Sequence, residues 1–221
     1  YPNNVPRIEY DATGAVKGLL IEEARTNLLT HSNDFANAAW SKTNLTATAN
    51  QATGPDGTVS ATEIGISFQP STSYGIQSAT STSGALSFFA KQNTERFFLI
   101  VRGTYTSGDW AIFDLSNGTV SKSPTYSGSS AEMVPMGNGW YRCVLQSAQA
   151  STVNAFSISG SGTDNTTSTS GTVYLYGAQA ETASFGSSYI PTTGAAATRA
   201  MDLAEIPMSA FGYNNDKGSL V

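Results

Sequence analysis

A Ser-His-Asp hydrolase needs a histidine that can reach both a hydroxyl and a carboxylate. This chain has one histidine, His31, with Ser32 and Asp34 close beside it. The triad is a spatial, hydrogen-bonded arrangement that close neighbours on an irregular segment rarely form, so His31 is read as non-catalytic. Glycoside hydrolysis would need two carboxylates facing each other across roughly 5–10 Å. Asp109, Asp114, Glu95 and Glu132 are the candidates by type, but each lies beside a turn or strand end, where a solvated carboxylate is the ordinary outcome. Gly160-Ser161-Gly162 is not followed by a helical pattern, so it does not read as a phosphate cradle. The chemistry available to these residues is thin, and no enzyme is expected.

Saccharide binding needs less: an aromatic ring on which a pyranose can lie, and a few polar side chains to hold its hydroxyls. Trp110, Tyr105, Tyr74 and Tyr126 lie in or beside turn-rich segments, and Arg102, Gln77 and Asn93 could supply hydrogen bonds. Trp140, Trp40 and Phe35 are read as core. For Trp110, followed by Ile112 and Phe113, burial and exposure are equally open.

Positioning these residues falls to a chain of 221 residues that is only 12% charged, with a net charge of −5 and a sequence pI near 4.8. Phosphate neutralisation needs clustered Lys and Arg, and no such cluster exists, which argues against a nucleic-acid ligand. The polar residues are mostly Ser, Thr, Asn, Gln and Gly, the composition of an exported or particle-borne β protein. Cys143 stands alone, which excludes an internal disulfide and a multi-thiolate metal site. No run approaches the roughly 18 apolar residues of a membrane-spanning helix. The chain opens without Met and stops within an apparent strand, so it reads as a fragment of a longer polypeptide.

The stretch Gly18–Trp40 is expected to organise the rest. Leu19–Ile21 and Leu28–Leu29 would join a sheet, with Phe35 and Trp40 folding back to close one end of the core. Arg7–Tyr10 and Val16–Glu22, around Asp11-Ala-Thr-Gly14, read as a hairpin. From Thr43 onward come short β-prone runs: 45–49, 59–66, 74–79, 85–91, 96–103, 110–115, 131–136, 140–147, 155–159 and 173–180. Their number and spacing predict an all-β fold, a jelly-roll-like antiparallel β-sandwich. Asn117-Gly118 and Asn138-Gly139 are hairpin-turn signals. Residues 34–40 and 203–210 could each form a helical turn, the first capped by Ser32 or Asn33. Residues 161–171 read as a mobile loop, and 184–193 as an extended tail packing Phe185, Tyr189 and Ile190 across the sandwich.

Three blocks carry a resemblance: Gly18-Leu-Leu-Ile-Glu-Glu-Ala-Arg-Thr-Asn-Leu-Leu29 with Asp34, Phe35 and Trp40; Gly137-Asn-Gly-Trp-Tyr-Arg-Cys143; and Tyr174-Leu-Tyr-Gly-Ala-Gln-Ala-Glu181 with Ser188-Tyr-Ile-Pro-Thr192 and Thr198-Arg199. Together they resemble the carbohydrate-binding-like jelly-roll modules of bacteriophage tail fibres and head spikes. The resemblance spans about residues 6–202. It implies a virion protein that adheres to bacterial surface glycan, touches other virion proteins, assembles as a homotrimer and is followed by another domain. On this reading residues 1–17 are an extended segment or hairpin, 18–202 the sandwich, and 203–221 a linker or the start of a further domain. A structural spacer without sugar binding, and an accessory domain of a depolymerase, are the other roles weighed. A second resemblance, to cellulose- and xylan-binding sandwich modules, implies a structural calcium held by Glu22, Glu23 and Glu181, with pairing of a Glu to Arg25 or Arg199 as the alternative.

Overall fold

The structure, a computed structural model, describes residues 7–10, 15–67, 73–104, 108–124, 126–163 and 170–205. Among the described residues there are fourteen β-strands and no helix. The chain divides into two compact units, the smaller comprising Tyr1–Ala24 with Ala200–Val221 and the larger Arg25–Arg199.

In the smaller unit, β1 (Ile8–Tyr10) and β2 (Val16–Leu19) pair antiparallel, as the hairpin reading expects. The Arg7 guanidinium binds the Glu22 carboxylate at 2.6 Å and also that of Asp202. The Glu22 N–H donates to the Asp202 carboxylate, and the Asp202 N–H to the Glu22 carbonyl. The segments 20–22 and 200–202 are thereby clasped together. Leu19 and Ile21 do not enter the sandwich sheet: they are 50% and 56% exposed, and β2 has β1 as its partner. A three-residue apolar run can satisfy either pairing, and the nearer strand closes the shorter loop.

The larger unit contains β3 (Arg25–Asn27), β4 (Ser41–Thr43), β5 (Leu45–Thr53), β6 (Val59–Ile66), β7 (Tyr74–Gln92), β8 (Phe97–Arg102), β9 (Asp109–Asp114), β10 (Thr119–Lys122), β11 (Ser130–Gly137), β12 (Trp140–Ser159), β13 (Thr172–Ala180) and β14 (Ala197–Arg199). Every pairing is antiparallel. The two longest strands, β7 and β12, serve both layers of a β-sandwich. The start of β7 and the end of β12 pair with each other and with β4 and β8, and β9 and β10 extend that layer. The end of β7 and the start of β12 carry β13, β6, β5 and β11 in the other.

Sequence reading breaks each of these long strands in two, because the Ser/Thr- and Gln/Ser/Ala-rich residues at 80–83 and 146–152 resemble turns. They are instead where each strand passes from one layer to the other, marked by register shifts between Ser147 and Val153. At Gly84 the backbone takes φ 143°, and an added Cβ would lie 2.0 Å from the Glu181 carbonyl oxygen, so only glycine fits.

Between the layers lies one apolar core. Phe98, Ile100, Phe113 and Phe156 from one layer meet Leu86, Phe88, Leu145 and Leu175 from the other. The Phe88 ring lies 5.7 Å from Phe98 and 5.5 Å from Phe156, edge-on in both cases. Phe35 and Trp40 are buried at one end of this core, as expected, with centroids 5.6 Å from Phe156. The segment carrying them is a series of three-residue turns rather than a helix: Asp34 N–H bonds to His31 O, Asn37 to Asp34 and Trp40 to Asn37. The Lys42 ammonium fastens it by donating to the carbonyls of Phe35, Ala36, Asn37 and Trp40. Residues 203–205 form no helical turn, and the rest of the expected turn at 203–210 lies outside the described residues.

The blocks behind the resemblance also have a structural logic. Buried Asn27 donates to the carbonyls of Ala178 and Ile190 and accepts from the N–H groups of Leu29 and Ala180. Gln179 accepts from the Ile190 N–H. Residues 187–190 are thus tied to β13 by side chains, and Ile190 is buried there, whereas Phe185 is half exposed beneath the Arg25 guanidinium, 4.4 Å from its centroid.

Candidate functional site

The polar and aromatic residues chosen from sequence do not assemble into one surface. Gln77 on β7 and Arg102 on β8 both stand in register with Asn154 of β12, and Arg102 faces Asp109 of β9. All four are buried, on the core side of the sheet, so Arg102 and Gln77 are not surface sugar contacts. Gln77 is used structurally: its carboxamide accepts from the Thr30 N–H and donates to the Thr30 carbonyl. Trp110 points to the opposite face, where it packs half-buried on Leu99, Val101, Ile112 and Ala155. Tyr74, two residues before Ile76, lies on that same outer face. Tyr126 is 49% exposed in the connection between β10 and β11. Tyr105 lies outside the described residues.

The calcium implied by the second resemblance does not fit the residues present. Glu22 is ion-paired to Arg7, and Glu181 accepts from both the N–H and the hydroxyl of Ser187. No group of three or more His, Cys, Asp or Glu side chains among the described residues is placed to hold a metal ion.

Of the catalytic candidates, Ser32 and Asp114 have structural partners. The Ser32 hydroxyl bonds to Tyr189 Oη at 2.6 Å and accepts from the Thr192 N–H. Burial opposes ionisation of Asp114, but hydrogen bonds from Arg96 and Ser116 outweigh it and hold the carboxyl below the usual range. The Cys143 thiol is pushed well up by complete burial.

The other outer face, formed by β6, β13, β7 and β12, is chemically different. Alternation along β13 turns Val173 and Leu175 inward and Tyr174 and Tyr176 outward, and β7 and β12 add Phe89, Lys91, Trp140 and Arg142. Register aligns Glu63, Tyr174, Lys91 and Trp140 in one row across four adjacent strands, and Tyr176, Phe89 and Arg142 in the next. Trp140 and Phe89 are buried as the floor, while Tyr174, Tyr176 and Tyr189 are only partly covered.

This floor is held rigidly. The Trp140 Nε1–H donates to the Thr53 carbonyl at 3.0 Å, so the end of β5 reaches over the face. The Arg142 guanidinium donates to Ser87 Oγ at 3.0 Å and sits 5.5 Å from the Phe89 ring centroid. Phe89, Tyr176 and Tyr189 contact one another at centroid distances of 5.7–5.9 Å. Burial together with Asp56 pushes the Tyr176 hydroxyl up, and burial raises that of Tyr189 further still, despite its bond to Ser32. At the rim, Asn93 Nδ2 donates to Glu63 at 3.0 Å and to Thr172 at 2.7 Å. One tight turn joins β11 to β12: Asn138 and Gly139 both take positive φ, the two-residue turn expected from sequence.

The face therefore offers a half-exposed tyrosine ring between fixed polar groups. Of the residues chosen from sequence for sugar contact, only Asn93 lies on it. Tyr174, Lys91 and Glu63 were missed because they sit inside strand runs rather than turns. The signal that could have found them was the Tyr-Leu-Tyr alternation of residues 174–176 on a strand whose other face is core. No protein-family model and no curated protein sequence matches this chain.

Proposed function

We propose that this β-sandwich is a non-catalytic glycan-binding module, and that the saccharide lies on the outer face of β6, β13 and β7. The observation that carries the reading is the row Glu63–Tyr174–Lys91, brought together in register on adjacent strands with Asn93 beside it. A pyranose stacked on Tyr174 gains apolar contact with its C–H face, and its hydroxyls meet both acceptor and donor groups. Because the floor is fixed by packing and by the Trp140–Thr53 bond, binding costs little ordering of the protein. The resemblance to bacteriophage tail-fibre and head-spike modules supports a virion setting for such a face, with bacterial surface glycan as its target. A glycan array probed with the labelled protein tests this. Retention of at least one class of oligosaccharide, lost on Tyr174→Ala while the melting temperature holds, is the expected result. Retention unchanged in Tyr174→Ala would move the site elsewhere, and no retention by the parent protein would leave a structural spacer.

A further inference from the structure

Every negative group on the aromatic face already has donors. Glu63 is held by Asn93, and Asp56 accepts from the Thr58 N–H, the Thr58 hydroxyl and the Ser60 hydroxyl. Of the two cations, Arg142 is spent on Ser87 and on the Phe89 ring. Lys91 differs from all of these. Its ammonium makes no hydrogen bond or ion pair with any described residue, and its stem passes the Gly139 turn at 3.5 Å from where a Cβ there would lie. It is half-buried, between Tyr174 on one neighbouring strand and Trp140 on the other. The Tyr174 hydroxyl, beside it, is likewise without a described partner.

The Lys91 stem packs beside the Gly139 turn, and its ammonium gains no acceptor from the described residues. A bound anion at this position would supply that acceptor through a charge-assisted hydrogen bond. We infer that the face selects acidic saccharides, with a sugar carboxylate received by Lys91 while the ring bearing it lies on Tyr174. The inference rests on the glycan-binding reading and narrows it to a substrate class. A neutral sugar offers Lys91 only an uncharged hydroxyl, whereas a uronic acid supplies a charged oxygen pair at the edge of a stacked pyranose.

The test is an array of matched oligosaccharides, each neutral chain printed beside its counterpart oxidised at C6 to the uronate. It is probed with the parent protein, Lys91→Gln and Tyr174→Ala, and followed by titration calorimetry on the best pair at low and high salt. The expected result is preference of the parent protein for the oxidised member. Lys91→Gln should lower affinity for that member by about tenfold more than for the neutral one, erasing the preference between them. Added salt should weaken only the oxidised pair. Equal or better binding of the neutral members, or an acid preference that survives Lys91→Gln, overturns the inference while leaving the glycan-binding reading intact. Binding of neither member by the parent protein overturns both. Tyr174→Ala, losing both members together, separates the stacking contribution from the charge.

Discussion

The two outer faces of this sandwich are built on the same long strands and have opposite chemistry. On the first, Leu99, Val101, Ile112 and Ala155 are fully buried and Trp110 packs onto them, a second small aliphatic core. On the second, a floor of Trp140 and Phe89 supports half-exposed tyrosines with Lys91, Arg142 and Glu63 among them. A sheet face closed by aliphatic side chains contributes stability and leaves nothing for a ligand to read. A face of rings with fixed polar neighbours gives up some burial and keeps a surface that can stack. The comparison moves the proposed binding surface from the turn-rich aromatic residues to the middle of a sheet.

The sharpest way to break this division is through what both faces share. Asn27→Ala removes four buried hydrogen bonds that tie residues 187–190 and Leu29 to β13. It should cost about 3 kcal/mol or more in urea unfolding and weaken sugar retention indirectly, since buried backbone groups would be left without partners. Next, Leu99→Ala on the aliphatic face should cost about 2–4 kcal/mol while glycan affinity per folded molecule is unchanged, whereas Tyr174→Ala should show the reverse. If Leu99→Ala lowers affinity as much as Tyr174→Ala does, the two faces are not functionally distinct.

The smallest expected effect is a pH dependence confined to the β9 end of the first layer. Asp114 is depressed in the fold relative to its ordinary 3.8, so its contribution is present above that value and is lost as pH falls through the lower folded one. Asp114→Asn should flatten the acid limb of a stability–pH curve below about pH 4 and leave sugar binding at neutral pH untouched. An acid limb identical in parent and variant would show that the Arg96 pairing contributes nothing.

Much of the architecture was legible beforehand. Phe35, Trp40 and Trp140 read as core and are buried, the Asn138-Gly139 turn takes the conformation its residues favour, Ala85–Lys91 lies within β7, and the runs 96–103 and 110–115 overlap β8 and β9. The errors share a cause. Ser- and Thr-rich stretches within β7 and β12 look like loops because those residues favour turns when nothing pairs with them, yet neighbouring strands supply the hydrogen bonds that keep them extended. Arg102 and Gln77 look like surface residues because charged and amide side chains usually are, and only the register with Asn154 and the hydrogen bonds of Gln77 to Thr30 show that they lie inside.

By itself the sequence determined the fold class, the apolar alternation of the strands, the ring pair that closes the core and a composition low in charge. All of these follow from local periodicity, turn chemistry and composition, which act over a few residues. Which carboxylates meet which cations, whether Leu19–Ile21 joins the sandwich, and that Glu63, Tyr174 and Lys91 form one row were decided only by tertiary structure. Those residues are far apart in the chain, and their adjacency depends on strand order and register, which no single segment encodes.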